Sequence, residues 1–73
     1  MNAVAINEAI KICLKEIYST LDEATRLARA AEACVQAGSV AEGVEVSMDI
    51  EQLIYEAGRL HDAVSLMHRF TRA

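Results

Sequence analysis

The sequence predicts an all-α fold: an antiparallel two-helix hairpin, with helices over about residues 2–37 and 40–72, that dimerises into a four-helix bundle. Three observations lead there. Small or apolar residues recur at alternating spacings of three and four along both halves of the chain, the period of a helix that packs on another helix. A single convincing stop signal, Gly38, is followed at once by a start signal, Ser39. The 73 residues contain no proline or tryptophan, are 53% hydrophobic and 25% charged, and carry an alanine excess, a composition of helical assemblies rather than of disordered tails. The chain is read as one domain, residues 1–73.

In the first helix the seam runs Ala3, Ile6, Ile10, Cys13, Ile17, Thr20, Ala24, Leu27, Ala31, Cys34. The diametrically opposite positions Glu8, Lys15, Asp22, Arg29 and Gln36 are all polar, so the stripe is true amphipathicity. Thr20 with Glu23 forms a capping-box pattern that could start a new helix. The heptad phase passes through it unchanged, which predicts one continuous helix with the Thr20 hydroxyl bonding a carbonyl one turn back.

At the hinge, glycine tolerates the left-handed backbone that closes a helix, and Ser39 with Glu42 three residues on matches the reciprocal capping box. The second seam then reads Gly43, Val46, Ile50, Leu53, Ala57, Leu60, Val64, Met67, Thr71. A register in which facing residue numbers sum to about 77 sets Leu27 near Ile50, Ala24 near Leu53, Ile17 near Leu60, Cys13 near Val64 and Ile10 near Met67, with large residues tending to meet small or medium ones. Thr20 then faces Ala57 beside Gly58, a thin waist. A mid-helix glycine costs about 1 kcal/mol relative to alanine, which predicts that Gly58 answers a packing need.

More apolar surface is present than one hairpin can bury. Leu14, Leu21, Ala28 and Val35 flank the first seam, Val40, Val44 and Ile54 the second, and Ile12, Tyr18, Met48, Tyr55 and Leu66 lie further round. A chain this short rarely gains more than roughly 3–5 kcal/mol from its own core. Two cysteines are too few for a disulfide framework and no zinc spacing is present, which leaves oligomerisation as the supplement. Leu14, Leu21, Ala28, Val35, Val44 and Ile54 are the predicted interface of a homodimer.

A formal net charge of −4 argues against unspecific attraction to nucleic acid or to an anionic membrane. The N-terminus lacks a basic region, and Glu8, Lys11, Lys15 and Glu16 interrupt the apolar residues too early for a secretory signal. No apolar run reaches the about 20 residues of a membrane span. The expectation is a cytoplasmic protein with Cys13 and Cys34 as free thiols, roughly 31 Å apart on one helix.

No constellation commits to catalysis, and no cofactor or metal is expected. His61 and His68 are seven residues apart, roughly 10.5 Å along a helix, whereas helical metal-binding histidines sit four apart, and the residues three before them are Gly58 and Ser65 rather than glutamates. Glu51, Glu56, Asp62 and Tyr55 do not place two carboxylates against a nucleophile; Glu56, beside the seam, is expected to be half-buried. Both cysteines lie on the seam, as small core residues do. The nucleotide and redox motifs are absent. Lys11, Lys15, Arg69 and Arg72 gather at the end remote from the hinge, with His68, while Glu42, Glu45, Asp49 and Glu51 make the hinge end acidic.

In length and hairpin layout the chain resembles the Rop-type helical hairpins, which dimerise into four-helix bundles and bind RNA through a helix face. It lacks that family's stripe of basic, amide and aromatic residues. The sequence therefore predicts a non-enzymatic, homodimeric interaction module: a regulator, an adaptor or a phage or plasmid accessory protein that binds another protein. The alternative is a Rop-like nucleic-acid-binding regulator using the Lys11, Lys15, Arg69, Arg72 patch.

Overall fold

The computed structural model describes residues 2–72; Met1 and Ala73, the two ends of the predicted domain, lie outside the described residues. Three helices follow in order: α1 (Ala3–Gln36), α2 (Val40–Ser47) and α3 (Ile50–Arg72). α1 packs against both α2 and α3, so α2 and α3 are two segments of one bent second arm. The all-α hairpin of the sequence reading is what the chain adopts. Its Cα atoms span 55 × 14 × 13 Å, a rod close to the about 51 Å that 34 helical residues reach at 1.5 Å each.

α1 starts at a cap the sequence reading passed over. Asn2 is extended, and its Oδ1 accepts from the amides of Val4 at 2.9 Å and Ala5 at 3.3 Å, satisfying two donors that have no partner within the helix. The helix then runs unbroken through Ser19 and Thr20, as the uninterrupted phase requires. The hydroxyl that bonds a carbonyl one turn back belongs to Thr25, which donates to Leu21 O at 3.0 Å; Thr20 instead is sealed into the seam, only 8% exposed.

The hinge is a Schellman closure. Gly38 has φ +97°, its amide donates to Val35 O at 3.0 Å, and the Ser39 amide donates to Cys34 O at 2.9 Å, the paired bonds that satisfy the last carbonyls of a helix. This corrects the reciprocal capping box. Ser39 Oγ does accept from the Glu42 amide at 3.2 Å, but the Ser39 amide is already committed to Cys34, so Glu42 has no donor there to reach for.

The second arm is bent where continuity was expected. Ser47 Oγ donates to Val44 O at 2.7 Å, Met48 N donates to Glu45 O three residues back at 3.3 Å, and Leu53 N reaches Asp49 O only at 3.5 Å. A hydroxyl competing for a helical carbonyl and a tightened turn are recognised sources of helix bending. The seam spacing continues through the bend, Gly43, Val46, Ile50, Leu53, and all four are buried or half-buried. The bend tilts the arm without rotating its packed face away.

Among the described residues only small ones are buried: Thr20, Ala24 and Ala57 together with Gly43. The larger seam residues, from Ile6 and Ile10 to Val64 and Met67, are half-buried, and among the described residues no large side chain is fully enclosed. The glycine that answers a packing need is Gly43. A Cβ built there would lie 2.8 Å from the backbone oxygen of Ala31 and 2.9 Å from Val35 Cγ2. At Gly58 a Cβ would meet nothing within 4 Å, so within the hairpin the expected need is not there; the backbones close up near the hinge, where α2 crosses α1. Among the described residues no helix is long and apolar enough to cross a membrane.

Candidate functional site

The seam phase sorts every other residue onto a side of the rod. Leu14, Leu21, Ala28 and Val35 each follow a seam residue by four positions, and so do Ser47, Ile54, His61 and His68 on the second arm. In an antiparallel pair these two rows border the seam on the same side. The surface agrees. One shallow groove is bounded by Ile17, Leu21, Ile54, Ala57, Gly58 and His61, and a second, nearer the hinge, includes Ala28, Val35, Val40, Gly43, Val44 and Ser47.

Five of the six residues expected at an interface thus line two adjoining grooves, and Leu14 lies two turns beyond Leu21 in the same row. All six are exposed, Val44 by 54% and Ile54 by 56%. Gly58, Ser47 and His61 belong to the same face and were missed, although their heptad phase was enough to find them.

The other side of the seam is acidic over the middle and hinge part of the rod, with Ala9, Ala63 and Phe70 in the same rows at the far end. Glu16 and Glu23 on α1, and Glu42, Asp49 and Glu56 on the second arm, each precede a seam residue by one position. Glu23, Leu27, Asp49, Gln52 and Leu53 border a groove there. Glu56 is exposed rather than half-buried, because a glutamate side chain at a flanking position extends past the seam to water; it accepts a bond from Gln52 Nε2 at 3.2 Å. On the outer surface of α3, Arg59 Nη1 donates to Tyr55 Oη at 2.9 Å, with its guanidinium carbon 5.8 Å from the ring centroid.

The basic residues do not form one line. Lys11 and Arg72 flank the apolar face, while Lys15 and Arg69 sit at the positions farthest from the seam, so the four wrap around the rod end; all are exposed. Lys11 Nζ lies 2.9 Å from Glu8 Oε1. His61, His68, Glu51 and Asp62 are likewise exposed, and Cys13 and Cys34 are half-buried free thiols. Among the described residues no group of three or more His, Cys, Asp or Glu side chains is placed to hold a metal ion.

The area of this surface is unusual for the chain's size. The hairpin exposes 5562 Å², whereas a compact monomer of 8.0 kDa exposes about 4,450 Å² on the usual mass scaling. The difference, about 1,100 Å², is of the size one partner buries in a stable protein interface, about 800 Å² or more. The radius of gyration, 16.8 Å, compares with about 11 Å for a globular chain of this length. No protein-family model, curated protein or solved structure matches the chain.

Proposed function

We propose that the chain is a non-enzymatic interaction module that works as a homodimer, two hairpins joined through the Leu14, Leu21, Ala28, Val35, Val44, Ile54 face into a four-helix bundle. The observation that carries this reading is incomplete burial: among the described residues only small ones of the seam are enclosed, its large residues stay half-buried, and Leu21, Ile54 and Val44 stand exposed in one continuous face. Covering that face removes the excess area and gives the half-buried seam residues a second wall. The acidic side and the Met48, Tyr55, Arg59 surface then point outward. They are where a regulator or adaptor of this build meets another protein.

Nucleic-acid binding is the weaker reading, because Lys11 is paired with Glu8 and the other basic residues face different directions. A mobility assay with short RNA and DNA duplexes at low salt is expected to show no shift; a salt-dependent shift lost on reversing Lys15 and Arg69 would transfer the function to that end. The dimer is tested by light scattering. The parent is expected at twice the 8.0 kDa chain mass, and Leu21→Glu with Ile54→Glu at the monomer mass or unfolded. A parent that is monomeric yet cooperatively folded refutes the reading.

A further inference from the structure

We infer that the second copy covers the apolar face upside down, with the two hinges at opposite ends of the bundle and helix α1 lying on α1 of its partner. This inference rests on the dimer proposed above, and adds the orientation that the dimer alone leaves open. Two observations, independent of each other, lead to it.

The first is charge. Residues 21–56, the hinge half of the rod, hold eight carboxylates against two arginines, while residues 1–20 and 57–73 hold five lysines and arginines against three carboxylates. A two-fold axis along the rod sets the acidic hinge halves side by side and the basic ends side by side. An axis across the rod sets each acidic half against the other copy's basic end, which is attractive at both ends. The charged groups that flank the face are Glu32 and Glu51 at one end and Lys11 and Arg72 at the other, all of them exposed.

The second is size. An axis along the rod permits no sliding, so each residue of the α1 row meets the α3 residue of the partner at its own height. Leu21 then meets Ile54 and Ala28 meets Ser47, large on large next to small on small. An axis across the rod lays the α1 row Leu14, Leu21, Ala28, Val35 on its own reverse, and the register is free to settle. At the register where Leu21 meets Ala28, Leu14 meets Val35 of the second copy, so neither leucine of the α1 row faces a leucine or isoleucine.

The test is a distance. In a Cys13→Ser, Cys34→Ser background, a spin label at exposed Ala5, introduced as Ala5→Cys, is expected roughly 45–60 Å from its counterpart in the inverted pair, the range between full overlap of the two rods and the register that pairs Leu21 with Ala28. With the hinges together it falls within about 30 Å, the width of a labelled bundle. A long distance with twice the chain mass supports the inference. A short distance with twice the chain mass overturns the orientation and leaves the dimer standing. A monomer mass without dipolar coupling overturns both.

Carbodiimide treatment of a mixture of isotope-labelled and unlabelled parent protein guards against label variants that do not fold. Links from Lys11 to Glu32 between copies support the inverted pair, because those groups lie about 31 Å apart along one hairpin. Links confined to groups at the same end, such as Lys15 to Asp62, refute it.

Discussion

Gly43→Ala sets two known effects against each other at one atom. Alanine is the better helix former by about 1 kcal/mol, and α2 has only eight residues over which to spread any loss. Against this, the added Cβ would sit 2.8 Å from Ala31 O and 2.9 Å from Val35 Cγ2, where a comfortable carbon contact is about 3.5–4.0 Å. The Val35 methyl can rotate away. The Ala31 oxygen belongs to the backbone of a continuous helix and cannot, so α2 must retreat and thin the seam on both sides. Overpacking of this kind costs about 1–3 kcal/mol, and after the propensity gain the net loss is about 1 kcal/mol, or about 4–8 °C in Tm for a chain of this size. The assay is thermal and urea unfolding followed by circular dichroism, at one protomer concentration because an associating chain's stability depends on it. Adding Val35→Ala is expected to recover only part of the loss. A Gly43→Ala protein as stable as its parent, or more so, shows that α2 does not press on α1 there.

Two other perturbations read the same architecture. Gly38→Val is expected to cost more than the about 1–2 kcal/mol of an ordinary left-handed residue, since φ is +97° and valine is β-branched, while Ser39→Ala costs about 1 kcal/mol; equal stability of both variants and the parent in urea would put the helix boundary elsewhere. Amide exchange followed by NMR is expected to be faster at Met48–Leu53 than at neighbouring positions of either flanking helix, because the bonds from Met48 and Leu53 are 3.3 and 3.5 Å long, and uniform protection along the second arm would show the bend to be rigid.

The seam and the hinge were legible in the sequence because both depend on local spacing. Every seam residue from Ile6 to Cys34, and from Gly43 to Thr71, is buried or half-buried, since a phase kept over many turns can face only one way. The glycines show where that reading stopped. Gly43 and Gly58 hold the same weight in a propensity scale, and only the path of the chain after the hinge decides which of them touches a carbonyl. The bend at Ser47–Asp49 was likewise hidden. It comes from a serine hydroxyl choosing Val44 O, a side-chain preference that leaves no mark on the hydrophobic period. Glu56 was misplaced for a related reason: heptad position indicates proximity to the seam, but a long charged side chain decides its own exposure.

The size gradient across the rod ties stability to association. Thr20, Ala24, Gly43 and Ala57 let the two arms approach closely, and each contributes little apolar area, so the hairpin spends its close contacts on residues with the least to gain from burial. The large seam residues stay half-buried, and Leu14, Leu21, Val35, Val44 and Ile54 leave further apolar area open on one face. A seam whose large residues were fully enclosed, beside a polar flank, would have made a more self-sufficient hairpin from the same period. The distribution found here makes sense if folding and pairing are one event, in which case substitutions on the exposed face should lower the unfolding midpoint as severely as substitutions in the seam, and diluting the parent should lower it too. A parent whose midpoint is unchanged by dilution would separate the two events and remove the link between this burial pattern and a second copy.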